Sequence, residues 1–122
     1  MSYRIERINS EMRKTLSQII GRLKDPRMTE MVSVTAVNVA KDLKTAKVDV
    51  EIFGDGNEDK VRETFETLCR SGGFIRKELA REFHDLRTIP ELTFRMDTSS
   101  AYSAHIDKIL EEIKQNDGGG NH

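Results

Sequence analysis

From Ala46 to Ile52 apolar and charged residues alternate without a break. Ala46, Val48, Val50 and Ile52 fall on one side, and Lys47, Asp49 and Glu51 on the other. Strict two-residue alternation marks a β-strand with one dry and one wet face. Such a strand needs a partner strand and a layer that covers its dry face. The preceding segment supplies the partner. Val32 and Val34, then Val37 and Val39, also alternate, and their phase slips near Thr35 and Ala36, which predicts a bulge. Lys41-Asp42-Leu43-Lys44 is a turn, so the two strands form a hairpin. Leu92, Phe94 and Met96 alternate with Thr93 and Arg95 and predict a third strand, with Pro90 at its entry.

Helical spacing supplies the cover. Ile5, Ile8, Met12, Leu16, Ile19, Ile20 and Leu23 recur every three or four residues and predict an amphipathic helix over 3–24. Ser2 is its expected N-cap, and Asp25-Pro26 its stop. "GDGN" at 54–57 reads as a loop with Asn57 capping a helix marked by Val61, Phe65 and Leu68. A further helix carries Phe74, Ile75, Leu79 and Phe83. After the third strand, Ser99 or Ser100 caps a last helix with Tyr102, Ile106, Ile109, Leu110 and Ile113. "NDGGGNH" at 116–122 reads as a disordered tail. The order is α-β-β-α-α-β plus a C-terminal helix. It predicts one two-layer α+β domain over 1–115 with a three-stranded sheet.

The chain of 122 residues holds one cysteine, Cys69, so no internal disulfide forms and a cytoplasmic setting fits. Cys69 sits beside an apolar stripe and is expected in the core. No apolar run reaches the roughly 20 residues of a membrane span. His84, His105 and His122 are not at zinc-ligand spacing, and no nucleophile elbow, P-loop or dinucleotide fingerprint occurs. These absences point away from an enzyme, a metal, a cofactor and a small-molecule substrate.

Charge is sorted along the chain although the net is −1. Residues 1–27 hold seven basic and three acidic side chains, and residues 70–87 five and three. Residues 49–66 hold two basic and seven acidic, and residues 97–122 two and five. A molecule with one basic and one acidic face would show this pattern, as would helices with solvated faces.

Within the second basic block, "CRSGGFIRKELAREF" at 69–83 sets two adjacent glycines between helical runs. Helix–break–helix exposes a fresh helix N-terminus, whose N–H groups and dipole attract phosphate. Glycine there lets a polynucleotide backbone come close. Arg76, Lys77 and Arg81 can share a side of the second helix, and Arg70 and Arg87 flank the unit. Ser71, Gly72 and Gly73 form the break. The break alone is equally consistent with a helix–helix corner that uses glycine as C-cap, with access to positive φ. Sparse aromatics argue against a base-stacking platform. The first helix carries Arg4, Arg7, Lys14 and Arg22 opposite its apolar stripe, with Lys24 and Arg27 beyond, a candidate second contact surface.

The element order is that of the type II KH domain, an RNA-binding fold that clamps a strand beside a GXXG loop. Here Ser71-Gly72-Gly73 stands in place of GXXG. The chain resembles the bacterial ribosome-binding factor A family, which is KH-like but carries an Ala-x-Gly kink. The resemblance runs from about Arg4 to Ile113. It takes in Asp25-Pro26-Arg27, Val34-Thr35-Ala36-Val37, Asp42-Leu43, Ala46-x-Val48 and Gly73-Phe74-Ile75-Arg76. It closes on Leu86-Arg87-x-x-Pro90-Glu91-Leu92-x-Phe94 and Asp97-x-Ser99-x-x-Tyr102. Ser71 stands where the family usually has alanine and is expected to cap the following helix. Asp85 stands where the family is often basic. The resemblance implies a monomeric, non-enzymatic assembly factor that binds 16S rRNA in the free, immature small ribosomal subunit. It implies a role in maturing the RNA's 5′ region, above all in the cold, and departure before translation. Two other readings stay open: a helix-turn-helix DNA binder using "FIRKELAREF" as recognition helix, and a protein adaptor using the acidic residues 49–66.

Overall fold

The computed structural model describes residues 3–54, 56–84 and 86–97. Helix α1 spans Tyr3–Gly21, strand β1 Met31–Val39, strand β2 Thr45–Phe53, helix α2 Glu58–Arg70, helix α3 Gly72–Glu82 and strand β3 Glu91–Met96. This is the expected α-β-β-α-α-β order. The expected Ser2 cap, the C-terminal helix and the tail lie outside the described residues.

β2 is the central strand. It pairs antiparallel with β1 and parallel with β3. The β1–β2 register shifts between Val34 and Ala36, where the valine phase slips. There the Thr35 hydroxyl donates to the Asp49 carbonyl at 3.2 Å. The hairpin turn is held by Asp42, whose Oδ1 accepts from the Lys44 amide at 3.0 Å, while Leu43 takes a positive φ of 63°. The parallel ladder opens where the Glu91 amide donates to the Lys44 carbonyl at 2.9 Å. That bond seats the hairpin turn beside the entry to β3.

The helices cover one face of the sheet. Ile8, Met12, Leu16 and Ile19 of α1, Leu68 of α2, Ile75 and Leu79 of α3, and Val48 and Val50 of β2 are buried almost completely. Asn57 caps α2 as expected, accepting from the Lys60 amide at 3.1 Å.

The structure corrects three expectations. α1 stops at Gly21 rather than Lys24, four residues before Asp25. The last amides tighten instead into i→i−3 bonds, Arg22 to Ile19 and Leu23 to Ile20, each 3.1 Å. Cys69 is exposed, not in the core. Phe74 is 54% exposed, whereas Ile75, Leu79 and Phe83 are buried as expected.

Candidate nucleic-acid interface

One residue joins α2 to α3. Ser71, at φ −85° and ψ 2°, is both the C-cap of α2 and the N-cap of α3. Its amide donates to the Thr67 and Leu68 carbonyls at 3.0 and 3.1 Å, and its own carbonyl accepts from the Ile75 amide at 2.9 Å. Its hydroxyl donates back to the Thr67 carbonyl at 2.9 Å and makes no cap bond to α3. Ser71 thus occupies the expected N-cap position and its carbonyl opens α3, but its hydroxyl serves the end of α2 rather than capping α3. Neither glycine is the corner. Gly72 and Gly73 are the first two residues of α3, and neither has a positive φ. A Cβ on Gly72 would meet only Phe94 Cε2, at 3.8 Å, and one on Gly73 would meet nothing within 4 Å. The fold thus excludes a side chain at neither position. The amides of this first helical turn have no intrahelical acceptor.

Gly73 opens onto a groove of about 530 Å³ between α3 and residues 86–89. Arg76, Lys77, His84 and Arg87 line it, with Ala80 and Phe83 behind them. No carboxylate of the described residues lines it.

The candidate cations divide by what already holds them. Arg76 is tied to the loop before β3: its Nε donates to the Ile89 and Pro90 carbonyls at 3.2 and 3.1 Å, and its Nη2 to Ile89 at 2.7 Å. Carbonyl partners fix the guanidinium without cancelling its charge. Arg81 pairs with Glu78 at 3.3 Å, and Arg22 pairs with Glu82. Arg70 donates to the Thr67 hydroxyl at 3.3 Å. Among the described residues, no hydrogen bond or ion pair holds the side chains of Arg4, Arg7, Lys14, Lys24, Lys77 or Arg87. The structure brings Gly73, Arg76, Lys77 and Arg87 together. It leaves Arg7, Lys14, Lys24 and Arg81 out of this groove. Asp85 lies outside the described residues.

Arg27 forks onto Asp25, with Nε to Oδ1 at 3.0 Å and Nη2 to Oδ2 at 2.9 Å, and its amide adds a bond to Oδ1 at 2.9 Å. These donors lower the Asp25 carboxyl to about 2. A carboxyl held below its unfolded value of about 3.9 stabilises the fold above that pH, and the contribution fades as pH falls toward 2. Asp25→Asn should therefore flatten the fall of Tm between about pH 4 and pH 2, measured by circular dichroism. An unchanged acid limb would show that the fork contributes nothing.

Sequence reasoning missed His84 and Thr88 in the groove and the exposure of Phe74. Phe74, Lys77 and Arg81 stand at i, i+3 and i+7 on α3, so an exposed aromatic shares a face with two cations.

Among the described residues no group of three or more His, Cys, Asp or Glu side chains could hold a metal, and no described helix is long and apolar enough to cross a membrane. A three-stranded sheet covered on one face, with a kinked basic helix pair in place of a glycine-rich clamp, makes this a KH-like domain. The family model for ribosome-binding factor A matches residues 4–110, so the chain belongs to that family. It is 50% identical over 120 residues to a ribosome-binding factor A of Clostridium botulinum, covering 98% of each chain. It is 49% identical over 116 residues to that of Clostridium tetani, covering 94% of this chain and 93% of the relative. The solution structure of a putative ribosome-binding factor A from Thermotoga maritima superposes with a TM-score of 0.67 at 33% identity, covering 83% of this chain and 93% of the other. A Thermus thermophilus ribosome-binding factor A, fitted as a homology model into a cryo-electron-microscopy map of its complex with the 30S subunit, matches with a TM-score of 0.59 at 27% identity. That match covers 75% of this chain and 92% of the other.

Proposed function

We propose that this chain binds the small ribosomal subunit by gripping 16S rRNA at the groove beside the kink, and acts as an assembly factor without catalysing a reaction. The observation that carries the reading is the groove itself: Lys77, Arg76 and Arg87 around a glycine at a helix N-terminus, with no lining carboxylate among the described residues. Backbone amides and cations recognise phosphate, not a scissile bond. The relative placed in a 30S complex supports the choice of partner. The same reading takes the chain as a cytoplasmic monomer that meets the free, immature subunit, aids maturation of the rRNA 5′ region, matters most in the cold and leaves before translation. Residues 1–115 act as one RNA-binding unit. Arg4, Arg7, Lys14 and Lys24 of the first basic block are free to make a second contact. A helix-turn-helix reading needs α3 free to enter a DNA groove, but Ile75 and Leu79 pack α3 into the core.

Lys77 and Arg87 test the reading cleanly, because both are exposed and neither holds the fold together among the described residues. Each phosphate contact contributes about −0.7 to −0.9 to the slope of log affinity against log salt. Lys77→Ala with Arg87→Ala should leave Tm unchanged and flatten that slope by about 1.4–1.8 for small subunits. An unaltered slope would move the RNA site elsewhere. Tighter binding to duplex DNA than to small subunits at matched salt would favour the DNA reading.

A further inference from the structure

A second groove, of about 710 Å³, is lined by the same 86–89 segment. Arg4 from the start of α1 and Lys44 from the β1–β2 turn line it, and it shares Arg76, Leu86, Arg87, Thr88 and Ile89 with the groove beside the kink. The two depressions therefore meet over a common wall that carries two arginines. Arg4 and Lys44 are exposed, and among the described residues neither side chain has a partner. Asp42 and Glu91 also line this groove, so its four cations, Arg4, Lys44, Arg76 and Arg87, outnumber two carboxylates and leave the lining net positive.

From this shared wall we infer that the two grooves form one track, and that it takes a single-stranded RNA segment rather than a duplex. The inference rests on the RNA reading above and adds direction and extent to it. The strand's phosphates pass from Gly73 and Lys77, across Arg76 and Arg87, to Lys44 and Arg4. Each groove falls within the about 300–1,000 Å³ of clefts that seat small ligands. Leu86 and Ile89, which line both grooves, are buried. A ligand that touches the cations of both grooves must bend across the wall they share, which a flexible strand does. A rigid duplex presents its phosphates on a convex surface and spans such grooves without entering them. Lys44 is placed here by the bond from the Glu91 amide to its carbonyl, which fastens the hairpin turn to the entry of β3.

The test uses the full chain and two oligouridylates, one of about four nucleotides, the length a KH-type clamp holds, and one of about twice that length. Binding is followed by fluorescence anisotropy across salt. For the wild-type chain the longer strand should show a steeper salt slope than the shorter one, by about 1.4 for two further phosphates on a single strand. In the Arg4→Ala, Lys44→Ala variant that extra steepness should vanish. A blunt-ended RNA duplex should bind more weakly than the long strand and show no loss in the variant. Equal slopes for both strands in the wild type, or an equal change for strand and duplex in the variant, would overturn the track. A wild-type chain that binds neither strand nor duplex would sink the RNA reading as well. A circular-dichroism melt of the variant, expected to match the wild type, separates lost contacts from lost fold.

Discussion

Arg76→Ala should destabilise the domain by about 1–2 kcal/mol, a drop in Tm of roughly 5–10 °C. The guanidinium is the donor for the Ile89 and Pro90 carbonyls, and both residues are buried. Alanine would leave two acceptors short of a charged partner just where the chain turns into β3. A hydrogen bond to a charged group contributes about 1.5–3 kcal/mol when fully formed, and the exposed head of Arg76 lowers that figure. Lysine should rescue only part of the loss, because one ammonium cannot reproduce the forked donors. Lys77→Ala, one residue away and unpartnered among the described residues, should leave Tm unchanged. Amide exchange gives a second readout, since residues 86–90 should lose protection before β2 does. An Arg76→Ala protein that melts with the wild type and keeps its exchange pattern would show that the carbonyl contacts are incidental. Because Arg76 holds the wall between the two grooves, its removal alters both by shape as well as by charge, so it is a poor probe of phosphate contact.

The division between what the sequence discloses and what it hides follows range. The alternation from Ala46 to Ile52 is a property of adjacent residues, and β2 lies where it predicts. The valine phase slip is equally local, and the bulge lies at Thr35-Ala36. Periodicity overruns the end of α1 because Leu23 keeps the helical phase past Gly21, where the backbone has already tightened. Phe74 departs from the pattern for a related reason. Counting apolar positions weights Phe74 and Ile75 alike, yet consecutive helical residues point about 100° apart and only Ile75 meets the core. The tasks of Arg76 and Lys44 are set by partners far along the chain: Ile89 and Pro90 for the first, Glu91 for the second. The parallel pairing of β2 with β3 creates the second and the packing of α3 beside the entry to β3 the first, and no local pattern reports either. Side-chain type marked the block 70–87 as basic. It could not show that Arg81 is paired with Glu78 while Lys77 is unpartnered among the described residues.

Gly73→Ala should move stability and binding in opposite directions. Gly73 lies in the first turn of α3 at ordinary helical φ, and a Cβ there meets nothing within 4 Å. Alanine at such a site stabilises a helix by about 0.5–1 kcal/mol, largely by restricting the unfolded chain. The fold by itself would therefore gain from alanine, and the glycine needs another reason. Gly73 opens onto the cationic groove, so the space its missing Cβ leaves is space for a ligand. A methyl group there keeps phosphate from the first-turn amides. Losing one such charge-assisted bond, about 1.5 kcal/mol, should weaken RNA or small-subunit binding about tenfold. Gly72→Ala is the paired control: its Cβ would rest against Phe94, and Gly72 does not line the groove. It should raise Tm as well but cost less binding. Gly73→Val, which adds β-branching in a helix, should forfeit the gain in Tm and keep the loss in binding. A Gly73→Ala protein that melts lower than the wild type would contradict the helical geometry at the kink. One that melts higher and binds RNA and small subunits as the wild type does would show that the ligand's backbone never approaches Gly73, leaving the double glycine without a function in binding.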